Sequence, residues 1–215
     1  MRNTDYVVDD LRAQLAASQE ASLEFSLILP PGWARFGVDV AAEQQLTANM
    51  TEVLREHGSP SEMLTVRQLV HASFTELRRR NAVACYLPVV PVDDIVIPAS
   101  ITVAPAPVRS PDRLAEFAQR VEQRATVFAR GRGDDGLEMW RWEQRVRGLP
   151  GEGGEDGGAR TVSYLFEAPK ESRRTPAVVS GSLLYAPGED TSDFAEEVLL
   201  LLDAIMGTFT WTAGR

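Results

Sequence analysis

Residues 191–211 read TSDFAEEVLLLLDAIMGTFTW. Phe194, Val198, Leu201, Leu202 and Ile205 recur at steps of three and four, a spacing that predicts one apolar stripe on an α-helix. Glu196, Glu197 and Asp203 fall mostly off the stripe and are assigned to solvent. Asp190, Thr191 or Ser192 supplies the N-cap, and acids in the first turn suit the helix dipole. Gly207 is the expected exit residue. Thr208, Phe209 and Trp211 follow as a short extended tail. Such a helix closes a core; it names no reaction.

The rest of the chain is read outward from this helix. Residues 177–185 and 160–167 are two strands before it. Residues 137–147 (LEMWRWEQRVR) and 126–130 are two more. They flank a segment whose Asp135-Gly136 is a hairpin signal. Between residues 137–147 and 160–167, residues 148–159 are glycine-rich and acidic, which predicts a flexible loop. A helix starts at Ser110-Pro111 and turns Leu114, Phe117, Ala118 and Val121 inward. Residues 82–90 and 95–103 are apolar strands. Pro88, Pro91, Pro98 and Pro105 punctuate them, which predicts irregular or edge positions because proline cannot donate to a ladder.

Two adjoining helices precede these strands. Residues 41–56 carry Leu46, Met50, Val53 and Leu54 at helical spacing, and Gly58 ends the run. Ser59-Pro60-Ser61-Glu62 reads as a capping box with proline at the first helical position. The helix it opens carries Leu69, Val70, Phe74 and Leu77. So short a join predicts a helical hairpin. Residues 22–29 alternate as a half-buried strand, with Leu23, Phe25, Leu27 and Leu29 on one side. Pro30-Pro31-Gly32 ends it, and residues 33–36 start a strand turning back. Residues 6–18 form a short helix. The order suits one domain over residues 1–215: α+β, a mainly antiparallel sheet with helices laid on it.

Composition narrows the function. Apolar content of 44% is enough for a sizeable core, and a net charge of −9 argues against nucleic acid as partner. No run is long enough to span a bilayer, since Asp203 cuts residues 198–202 short. The one cysteine, Cys85, excludes an internal disulfide and is compatible with a cytoplasmic compartment. Lys170 is the only lysine among many arginines, a usage associated with GC-rich bacterial genomes.

The candidate chemistry is sparse. His57 beside Gly58 suits a helix C-terminus. His71 lies within a helix without a metal-ligand spacing, and Cys85 in ACYLPV reads as a buried thiol. The glycine-rich segment lacks the Gly-Lys-Ser/Thr ending of a phosphate loop. Ser180-Gly181-Ser182 lacks the glycine that a nucleophile elbow needs two residues before its serine. No catalytic, cofactor or metal site is therefore assigned. The surface signal is in residues 137–147. Trp140, Trp142 and Val146 share one face as core, while Arg141, Arg145 and Arg147 share the other with Glu143. Trp and Arg most often anchor interfaces, so the arginines are the candidate partner-binding residues. The outward side of the helical hairpin is a second docking candidate.

The opening LEFSLILPPGW and the closing SLLYAPGEDTSDFAEEVLLLLDAIMGTFTW resemble the Mog1/PsbP-like family, a broad group that also resembles the LpqN-type lipoproteins and the DUF1795 adaptor proteins. The shared features are a strand ending at Pro30-Pro31-Gly32-Trp33 and a final strand, acidic loop and helix. The resemblance implies an α/β/α sandwich and a protein-binding role. This chain departs from it by inserting the helical hairpin and by lacking a lipoprotein cysteine. The expected function is a non-enzymatic adaptor that binds another protein in a bacterial cytoplasm, with no cofactor. The alternative is a small enzyme with an unidentified active site.

Overall fold

The computed structural model describes residues 24–57, 59–90, 97–108, 111–132, 136–149, 157–169, 174–185 and 192–212. The expectations for residues 6–18, Leu23, Gly58, Asp190 and Thr191 lie outside them. Nine strands are described: β1 (Phe25–Ser26), β2 (Trp33–Phe36), β3 (Ala84–Pro88), β4 (Ala99–Pro105), β5 (Val127–Arg132), β6 (Glu138–Leu149), β7 (Gly157–Phe166), β8 (Ala177–Tyr185) and β9 (Thr210–Trp211). The described helices are α1 (Val40–His57), α2 (Pro60–Arg79), α3 (Pro111–Glu122) and α4 (Asp193–Gly207).

Seven strands form one sheet in the order β2-β3-β4-β8-β7-β6-β5, every neighbour antiparallel. Helix α4 lies on one face, over Ile101, Val103, Val162, Val179 and Leu183. The other face carries α3 over Trp140, Trp142 and Leu165, and the α1–α2 hairpin over Phe36 and Leu87. The expected α+β architecture, an antiparallel sheet with helices on both faces, is therefore present. Alternation along each strand builds it, since successive side chains point to opposite faces.

Several local expectations hold. Ser59 Oγ accepts from the Glu62 N–H at 3.3 Å and Glu62 Oε2 accepts from the Ser59 N–H at 2.5 Å, completing the capping box. Leu114 and Ala118 are buried, with Phe117 and Val121 packed beside them. In the hairpin, Leu46, Val70 and Phe74 are buried, but Met50 and Leu69 face solvent.

Three expectations are corrected. First, β3 and β4 are interior strands. Pro88 and Pro105 are their last residues and Pro98 precedes β4, so these prolines end strands without breaking a ladder. Second, β2 does not turn back on β1. It pairs with β3, while β1 pairs with β9, Phe25 opposite Trp211. Gly32 makes the break at φ +85, a conformation that favours glycine. Phe209 stacks between Phe25 and Phe166, at 5.6 and 4.1 Å, and so fixes the small β1–β9 sheet to the core.

Third, the apolar stripe of α4 is rotated. Its buried residues are Ala195, Val198, Leu199, Leu202, Ile205 and Met206; Phe194 is exposed and Leu201 only half-buried. Ser192 is the N-cap, accepting from the Ala195 N–H at 3.2 Å. Gly207 is the last helical residue and not a left-handed exit. Thr208 closes the helix instead, its hydroxyl donating to the Ile205 carbonyl at 2.6 Å. Gly181 lies beneath α4: a Cβ there would come within 2.6 Å of Met206 Cε and 3.1 Å of Leu202.

Candidate functional site

Strand β6 joins the two layers. Its Trp140 and Trp142 are buried beneath α3, where Phe117 meets Trp142 edge-on at 6.3 Å. Its opposite face meets α4 through charge. Arg141 Nε and Nη2 donate to the two carboxylate oxygens of Asp203 at 3.1 and 2.7 Å, and Nη2 also reaches Glu143 at 2.7 Å. The Tyr164 hydroxyl donates to Asp203 at 2.9 Å. Beside them, buried Arg160 of β7 bonds Glu196 of α4 at 2.5 Å and Glu143 at 3.4 Å.

This cluster explains the rotation of α4. Asp203 and Glu196 are drawn toward arginines rising from the sheet, which brings Leu199 and Met206 down and lifts Phe194 outward. Burial opposes the charge on Arg141 and on Arg160, but bonds to Asp203 and Glu143, and to Glu196, raise both above the usual arginine value. Burial, reinforced by the neighbouring Asp203 carboxylate, raises Tyr164 above the usual phenol value. At neutral pH the cluster is a set of fixed ion pairs with a protonated phenol donor.

The structure separates the three arginines singled out in β6. Arg141 is half-buried in the cluster. Arg145 is exposed, opposite Arg160 in register. Arg147 lies opposite Gly158, and its side chain is outside the described residues. The register shows something alternation alone does not. The pairing of β5 with β6 ends at Val127 opposite Glu143, whereas β7 continues along β6 to Leu149 opposite Gly157. Residues 144–149 therefore have a strand on one side only among the described residues. Of the segment 148–159, Gly148 and Leu149 belong to β6 and residues 157–159 to β7; residues 150–156 lie outside the described residues.

That overhang is braced from behind. Tyr185 lies over Gly158, where a Cβ would come within 2.3 Å of its hydroxyl oxygen. The same hydroxyl donates to the Val146 carbonyl at 3.3 Å. Val146 is 48% exposed.

The histidines and the cysteine are dispersed. His71 Nδ1 lies 2.7 Å from Glu43 Oε1, and Arg78 holds the other Glu43 oxygen at 2.7 Å, so the trio ties α1 to α2. His57 ends α1, and its side chain is outside the described residues. Cys85 is buried in β3, and burial pushes its thiol up to about 11, which keeps it protonated. Among the described residues no group of His, Cys, Asp and Glu could hold a metal ion, and no helix is long and apolar enough to cross a membrane.

No family model matches the sequence, and no curated protein matches it. Among solved structures, the Ran-binding protein Mog1p of Saccharomyces cerevisiae is similar in arrangement. It shares 12% sequence identity over 87% of this chain and 90% of that one, with a TM-score of 0.42.

Proposed function

We propose that this protein is a non-enzymatic adaptor that binds another polypeptide in a bacterial cytoplasm, with Arg145 and Arg147 in the partner face and Arg141 positioning the strand that carries them. The observation that supports this is the overhang of β6. The strand is held by β7, Tyr185 and the Arg141 cluster, and among the described residues no strand lies on its other side beside residues 144–149. Exposed ladder edges are usually shortened or covered, because they template pairing with other chains. This one is long and carries an exposed arginine and an exposed valine, residue types suited to recognition.

The test is affinity capture from the native host followed by mass spectrometry, with wild type beside an Arg145→Ala/Arg147→Ala variant. Removing one hot-spot contact of at least about 2 kcal/mol weakens binding about thirtyfold, so the variant loses the partner while its melting curve is unchanged. Turnover of a small molecule abolished by changing His57, His71 or Cys85 would replace this reading with an enzymatic one.

A further inference from the structure

We infer that the side of α4 turned away from the sheet docks an amphipathic helix of another protein, one whose apolar stripe is flanked by lysine or arginine. This surface is separate from β6, and its ligand binds independently of the partner read for residues 144–149.

Helix α4 is apolar on both sides. Leu202 and Met206 are fully buried on the sheet, yet Leu200 is 67% exposed and Phe194 41%. A surface helix ordinarily keeps one apolar stripe and turns polar residues outward; apolar side chains all round mark a helix that is covered on both sides. Asp193, Glu197, Leu200, Ala204 and Gly207 follow at steps of four, three, four and three, so they form one outward stripe, and every one of them is exposed. The stripe runs for about four turns, or about 21 Å. Phe194 and Leu201 lie on the line beside it. At its start Phe194 joins Pro98, Leu184 and Tyr185 in walling an open hollow of about 300 Å³. That is the small end of the range for ligand sites, room for one large side chain. At its other end a Cβ placed on Gly207 would meet nothing within 4 Å. Gly207 and Ala204 therefore let a second backbone come close. A straight ridge of this kind is what a second helix packs against.

Charge selects the occupant. Between Arg174 and Arg215 the sequence has no lysine or arginine and six acids, four of them on α4. Glu196 and Asp203 turn down to Arg160 and Arg141 of the sheet. Asp193 and Glu197 stand on the outward stripe with Leu200. The last turn carries no basic side chain, so the carbonyl end of the helix also favours a cation from outside. An apolar stripe among acids is matched by apolar anchors among cations, at i, i+3, i+4 and i+7 of the incoming helix. An acidic ligand is repelled. A second copy of this chain does not fit, because it sets acids against acids in a molecule whose net charge is already −9.

The probe is a displayed library of helix-forming peptides of about 18 residues, five turns, selected on the purified full chain. Binding is mapped by amide shifts of the isotope-labelled protein. The expected winners carry an apolar stripe flanked by Lys or Arg and shift amides of residues 197–207. Leu200→Gln then weakens them at least about tenfold with an unchanged melting curve, as for an ordinary surface change. Glu197→Lys weakens them too, most strongly at low salt. Arg145→Ala/Arg147→Ala leaves them bound. Acidic or extended winners, no enrichment, shifts that avoid α4, or binding indifferent to both α4 variants would overturn the inference. So would a dimer in sedimentation that Leu200→Gln dissociates, or contacts from another segment of this chain to Leu200 in the protein alone, since each gives the face a different occupant.

Discussion

Replacing Asp203 by alanine removes an acceptor used three times: twice by Arg141 and once by the Tyr164 hydroxyl. Exposed ion pairs contribute at most ~1 kcal/mol, whereas breaking a fully buried pair costs about 3–5 kcal/mol. The Arg141 and Asp203 side chains are 21% and 25% exposed, which places this pair between those limits. Arg141 keeps Glu143 at 2.7 Å, so its guanidinium is not stranded. Tyr164 is 6% exposed and loses its acceptor, which adds about 1 kcal/mol or more. The expected loss is therefore about 3 kcal/mol. It appears as a lower urea midpoint at unchanged slope. A double-mutant cycle with Arg141→Met should give a coupling of about 1–2 kcal/mol, because the two residues touch. Asp203→Ala within about 0.5 kcal/mol of wild type, the range of an ordinary surface change, would refute the reasoning.

Two further predictions concern the same layers. Leu202→Ala should cost about 3–5 kcal/mol because Leu202 is fully buried on the sheet-facing side of α4, and the half-buried Leu201→Ala should cost clearly less; equal losses in chemical denaturation would mean the helix sits at the angle its sequence periodicity implies. Bonds from His71, then from Arg78, hold the Glu43 carboxyl below its ordinary value of 4.5. Its contribution to the α1–α2 hairpin is therefore complete above that value and is lost as pH falls through the lower folded value, because the unfolded chain takes the proton first. Glu43→Gln should flatten the acid limb of the stability profile; an unchanged limb would exclude this group as its cause.

Much of the fold is legible in local pattern. The capping box of α2, the inward face of α3 and strand β8 follow from period and punctuation. The errors share a physical origin, namely partners remote in sequence. The rotation of α4 could not be read from residues 191–211, because Arg141 and Arg160 belong to strands formed earlier in the chain. Residue type alone sends charged residues to solvent, and only the folded sheet shows that Asp203 and Glu196 have cations beneath them. The pairing of β1 with β9 joins the two ends of the described chain, and no local signal specifies it. The prolines misled for a different reason: a missing donor matters inside a ladder and costs nothing at its end. Of the candidate site, the two-faced character of residues 137–147 was readable. The edge beside residues 144–149 was not, since it depends on where β5 stops in register.

Docking of a polypeptide on the side of β6 away from β7, beside residues 144–149, is tested most directly by amide hydrogen exchange, with and without the captured partner. Exchange should slow in residues 144–149, with α4 and the hairpin unchanged. Protection on α4 or the hairpin, with residues 144–149 exchanging as in the protein alone, would contradict it.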